Sequence, residues 1–133
     1  MSQLGFADDV RSRIRERAGR YDERAFLFVL AALEDLQSRL PRRRHVSGEE
    51  LARACRDFAL RHYGLLSRTV LEHWGIRQTA DLGEIVFTLI DAGLLSAQES
   101  DRPEDFHGVY AFAEAFEEAY PWGAWRREDV EPD

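Results

Sequence analysis

Residues 66–93 read LSRTVLEHWGIRQTADLGEIVFTLIDAG, and this stretch decides the fold. Val70, Leu71 and Trp74 mark the apolar side of a short helix from about Leu66 to Trp74. Gly75 is the residue type that ends a helix in the left-handed conformation, and Ile76 supplies the hydrophobic contact beyond it. Thr79 is read as the cap of the next helix, in which Leu82, Ile85, Val86, Leu89 and Ile90 form a wide apolar face. Gly93 stops that helix, and Leu94 repeats the part played by Ile76. Two helices joined by the turn 75–78 give a helix-turn-helix core. Gly83 lies inside the second helix, where glycine costs ~1 kcal/mol against alanine, so it suits close packing on a neighbour.

Toward the amino terminus, Ser47-Gly48-Glu49-Glu50 reads as a capping box, followed by the helical spacing Leu51, Cys55, Phe58 and His62 up to Gly64. Asp22 caps a helix that runs to Leu40, ahead of Pro41. That helix is apolar almost all round, which predicts the central, buried one. Phe6, Val10 and Ile14 make one stripe of a first helix over 6–18, flanked by arginines and ended by Gly19.

Toward the carboxyl terminus the texture changes. Leu94 to Ala97 reads as a short strand, and the alternation through 106–112 as a second one. Glu114 to Tyr120 reads as a short helix. The expectation is a mainly α, single-domain helical fold over 1–125 with a helix-turn-helix core. It is winged-helix-like if a small C-terminal β-hairpin forms, and a plain helical bundle with an irregular wrap otherwise. Residues 126–133 read as a frayed acidic tail.

The 133-residue chain has a net charge of −7, 18 arginines and no lysine or asparagine. Residues 1–77 carry +4 and residues 78–133 carry −11, so the acidic half either folds back on the basic half or faces a charged partner. The single Cys55 cannot form an internal disulfide, and the longest apolar run, Ala25 to Leu33, is too short to span a bilayer. The chain reads as cytoplasmic, with no membrane partner. Without lysine there is neither a Walker lysine nor a Schiff base, and no glycine-rich dinucleotide loop is present. The four histidines show no metal-helix spacing, and Cys55 sits on an apolar stripe. No cofactor, metal or catalytic residue is implied, and the expectation is a non-enzyme.

Several stretches carry a resemblance: Arg44-His45-Val46-Ser47-Gly48-Glu49-Glu50-Leu51, Trp74-Gly75-Ile76-Arg77-Gln78-Thr79 and Gly83-Glu84-Ile85-Val86-Phe87. So do Asp91-Ala92-Gly93-Leu94-Leu95 and Phe112-Ala113-Glu114-Ala115-Phe116. From about Phe6 to Phe116 the chain resembles a family of small uncharacterised bacterial proteins. That pattern has an acidic residue where this chain has His73. The resemblance implies a bacterial, cytosolic, single-domain protein and brings no functional residues with it.

Two surfaces remain as candidates. Seven of the fifteen aromatics fall between Phe106 and Trp125, with Glu114, Glu117 and Glu118 among them. This acidic-aromatic C-terminal region reads as a protein-interaction surface, with Trp122 and Trp125 as anchors and Asp81, Glu84 and Asp91 as an acidic face. The alternative is an RNA- or ribosome-associated factor binding through Arg42, Arg43, Arg44 and His45. Sequence-specific DNA readout is disfavoured, because the second helix of the core presents carboxylates and no base-reading residue.

Overall fold

Local signals in the sequence become helix ends in the computed structural model, which describes residues 8–118. The described α-helices are α1 (Asp8–Ala18), α2 (Glu23–Arg39), α3 (Gly48–Tyr63), α4 (Ser67–His73) and α5 (Thr79–Asp91). Asp22 caps α2 by accepting the Arg24 N–H at 2.8 Å. Ser47 and Glu50 close the capping box of α3, with bonds of 3.1 and 2.8 Å. A 3₁₀ turn, Gly64–Leu66, links α3 to α4.

Gly75 and Gly93 stop α4 and α5 in the left-handed region, at φ 99° and 83°. In each case the next residue's N–H reaches back to the last turn, Ile76 to Leu71 and Leu94 to Leu89, at 2.9 Å. Both ends are Schellman motifs; Ile76 is fully buried as the hydrophobic contact at the end of α4, whereas Leu94, expected to repeat that part at the end of α5, is 38 % exposed.

α2 packs on α3 and α5, and α1 lies along α5. The core gathers Phe26, Val29, Leu71, Ile76, Leu82, Ile85 and Leu89, each at most 2 % exposed. α2 is central in its first half, where Ala25, Phe26, Phe28, Val29 and Ala32 are buried, whereas Leu36 and Leu40 are half-buried. The architecture is mainly α, with a helix-turn-helix core formed by α4 and α5.

Two further expectations need correction. No strand forms among the described residues, so the hairpin and the wing are absent. After the Gly93 stop the chain runs through turns to a 3₁₀ turn at Pro103–Phe106. Gly108 then turns at φ 63°, and the Val109 N–H goes to the Thr79 hydroxyl at 3.2 Å instead of to a neighbouring strand. The alternating rings face inward by turns, not by pleating: Phe106 and Phe112 are buried. Thr79 is the first residue of α5 rather than its cap; Gln78 is the cap, and its N–H bonds to Asp81 Oδ2 at 3.2 Å. The short helix expected from Glu114 is present as a π-helix, Glu114–Glu118, up to the last described residue. Phe6, Trp122, Trp125 and the 126–133 tail lie outside the described residues.

Candidate functional site

Asp81, Glu84 and Asp91 all lie on α5, but Arg17 of α1 and Arg20 and Tyr21 of the turn between α1 and α2 take them up. Asp81 is 4 % exposed. Its Oδ2 accepts the Arg77 and Gln78 N–H groups at 2.8 and 3.2 Å, and its Oδ1 lies 2.8 Å from Arg20 Nη2. Glu84 Oε1 meets the same guanidinium nitrogen at 2.6 Å. The Tyr21 hydroxyl sits 2.7 Å from Asp81 and 2.5 Å from Glu84, so its single proton serves the two carboxylates in turn. Burial, then the bond to Glu84, pushes the Tyr21 hydroxyl well above the ordinary range, while Tyr21 and Arg20 hold Glu84 low. Asp91 pairs with Arg17. This arrangement is a seam that fastens the end of α1 and the turn after it to α5. Sequence reasoning missed Tyr21, whose partners are sixty or more residues away and share no local spacing with it.

The 42–45 loop is likewise engaged. Arg43 holds Glu34 through two bonds of 3.0 Å. Arg44 holds Glu50 at 3.2 and 2.8 Å, and this pairing brings the Glu50 carboxyl down to about 2. His45 Nε2 contacts Asp101 at 3.1 Å. The Gln37 side-chain amide brackets the Arg44 backbone, donating to its carbonyl at 2.6 Å and accepting its N–H at 3.1 Å. Arg42 is exposed with no ion pair among the described residues. The loop is pinned by acids of α2, α3 and the 101 turn.

In the C-terminal stretch, rings and carboxylates separate. Phe112 and Phe116 stack edge to face, 5.0 Å apart, and both are buried. Tyr110 bonds the Ala52 carbonyl at 2.8 Å, below the Arg56 guanidinium. Glu114 and Glu117 remain exposed. The result is an acidic surface over an aromatic interior. Arg68 of α4 pins Glu117 at 3.0 Å, close to where the described chain ends.

Beside Arg68 lies the apolar feature that the sequence reading passed over. Leu65 and Leu66 are 64 % and 61 % exposed on the 3₁₀ turn, next to the exposed His62. Gly64 stops α3 at φ 52°, and Ser67 turns its hydroxyl to the Ala59 and Gly64 carbonyls at 3.0 and 2.8 Å. The turn is thus fastened by the Ser67 hydroxyl with its leucines outward. The only sequence signal was two consecutive leucines after a helix-stopping glycine.

Cys55 is 1 % exposed, and burial pushes its thiol up, away from the thiolate a nucleophile needs. No group of three or more His, Cys, Asp or Glu side chains among the described residues could hold a metal ion. No described helix is long and apolar enough to cross a membrane. Comparison with known proteins finds no matching family model, no matching curated protein and no matching solved structure.

Proposed function

We propose that the chain is a non-catalytic protein-interaction module whose contact surface is the corner between α3 and α4 together with the acidic-aromatic C-terminal region. The observation that carries this reading is the pair of exposed leucines, Leu65 and Leu66, set beside the Arg68–Glu117 ion pair. Burying two leucines against a partner contributes about 1.5–3 kcal/mol each. In sequence, Trp122 and Trp125 follow Glu117 by five and eight residues, within reach of the same partner. Glu114 gives this surface an acidic edge beside the Arg68–Glu117 pair, so the partner presents apolar side chains flanked by a basic one. Asp81, Glu84 and Asp91 are left out of the proposed surface, because Arg20, Tyr21 and Arg17 already pair with them. The arginine-loop reading gains no support, since Arg43 and Arg44 are each held by a carboxylate.

A tagged pull-down from the native host, washed with and without RNase, tests the reading. Wild type should retain one stoichiometric protein after RNase. A Leu65→Ser/Leu66→Ser variant with an unchanged melting midpoint should lose it, as should Trp122→Ala/Trp125→Ala. Retention of RNA that disappears with Arg42/Arg43/Arg44→Ala would replace this reading with the RNA one.

A further inference from the structure

A cleft of about 380 Å³ opens at the amino end of α3, the end opposite Leu65 and Leu66. Leu33 of α2, Phe87 and Ile90 of α5, and Leu95 beyond them line it and are only half-buried, so apolar surface is left open there. With histidine counted as neutral, the charged side chains of the lining are two arginines, Arg44 and Arg102, and two aspartates, Asp101 and Asp105. The lining thus has no surplus charge with which to select an ion of either sign. An uncharged, apolar occupant suits it.

The chain itself supplies such a segment, and α1 delivers it to the right end of α5. The two helices run antiparallel. Arg20, just after α1, meets Asp81 and Glu84 near the start of α5, Arg17 meets Asp91 at its end, and Arg13 Nη1 reaches the Ala92 carbonyl at 3.4 Å. Asp8 begins α1 about 7.5 Å farther along the helix axis than Arg13, past the end of α5. Ile90 and Leu95 of the cleft lie at this same end, where the Leu95 N–H is 3.4 Å from the Leu89 carbonyl. Residues 1–7, which precede Asp8, read MSQLGFA and carry no charged side chain, in a chain that is 32 % charged. Fully extended they reach about 24 Å. Phe6 also continues, one helical turn ahead, the stripe by which Val10 and Ile14 pack on the core. We infer that residues 1–7 close over this cleft, with the Leu4 and Phe6 side chains on its apolar wall. The cleft admits on the order of a dozen water-sized groups at ~30 Å³ each, and those two side chains bring about eleven carbons.

The test is an NOE measurement on the ¹³C,¹⁵N-labelled full chain, with 8-anilinonaphthalene-1-sulfonate as the probe of open apolar surface. Leu4 and Phe6 should show NOEs to the methyl groups of Leu33, Ile90 and Leu95. Leu4→Ser/Phe6→Ser should remove them, move the Ile90, Leu95 and Gln98 amides, and raise the dye fluorescence severalfold. The Leu65, Leu66 and Arg68 amides should stay in place, so this result stands or falls apart from the proposed partner surface. Leu4 and Phe6 without NOEs to the cleft overturn the inference, as does a double variant that leaves the cleft amides unmoved. NOEs that arise only between differently labelled chains in a mixed sample also overturn it, because the segment then sits in a second copy. So does a small molecule that the purified chain retains in the cleft.

Discussion

Gly83 shows how one residue fixes the packing of a distant segment. A Cβ placed there would lie 3.0 Å from both Cβ and Cδ2 of Phe106. Phe106 also packs against Gly48, where an added Cβ would come within 3.0 Å of its Cε2. The ring is clamped between the start of α3 and the middle of α5. Two effects compete in Gly83→Ala. Helix propensity favours alanine by ~1 kcal/mol, and overpacking costs about 1–3 kcal/mol. Phe106 is buried, so a shift of its ring disturbs the packing around it, and the net should be a loss of about 1 kcal/mol, read as a lower urea midpoint. Adding Phe106→Leu should make alanine at 83 the better residue. A rise in midpoint for Gly83→Ala alone would mean that Phe106 has slack. The glycine's packing role was legible in the sequence as a helix-interior glycine on an apolar face. Its partner was not, because Phe106 lies in a stretch whose alternation imitates a strand.

At the scale of elements, legibility followed the range of the interactions. The Ser47–Glu50 box and the Schellman ends at Gly75 and Gly93 are each settled within six residues, and the sequence carried them. The cap of α5 was misplaced by one residue because Asp81 supplies the capping carboxylate from inside the helix. The 94–112 segment was misread because its backbone groups are satisfied by turns and by Thr79, contacts that no local pattern encodes. The α3 box also makes a pH prediction. Arg44, then the Ser47 N–H, lowers the Glu50 carboxyl from 4.5 to about 2. A carboxyl lowered by folding stabilises the fold above its unfolded value and loses that contribution as pH falls toward its folded one. The nominal ~3 kcal/mol shrinks to about 1 kcal/mol, because the Glu50 side chain is 42 % exposed to screening solvent. Asp22, lowered to about 2 mainly by Arg24, acts in the same direction. The melting midpoint should stay level from pH 7 to 5 and fall between about 4.5 and 2. Glu50→Gln should lower it at pH 7 and flatten the acid limb; an unchanged acid limb would show that the box contributes nothing through ionisation.

For the whole molecule, the deciding question is where the two charge halves meet. Residues 1–77 carry +4 and residues 78–133 carry −11, and composition alone allows pairing within a chain or between chains. In the structure the seam closes inside one chain: Arg17 meets Asp91, Arg20 meets Asp81 and Glu84, and Arg68 meets Glu117. Arg17 and Asp91 are 40 % and 60 % exposed, so their pairing contributes only about 0.5 kcal/mol. Its worth as a test lies in its geometry. Arg17→Asp sets two acids together and opposes the dipole at the end of α1, so it should destabilise. Asp91→Arg sets two cations together, although an arginine suits the end of α5, so it should cost less. The double swap restores opposite charges and should recover about 0.5–1 kcal/mol beyond the sum of the single changes. Pairing within one chain makes that recovery, and the melting midpoint itself, independent of protein concentration from about 1 to 100 μM. A midpoint that climbs with concentration, or a recovery seen when the two single variants are mixed, would place the seam between chains instead. The acidic half would then be bound by a second copy's arginines before any other partner could reach it.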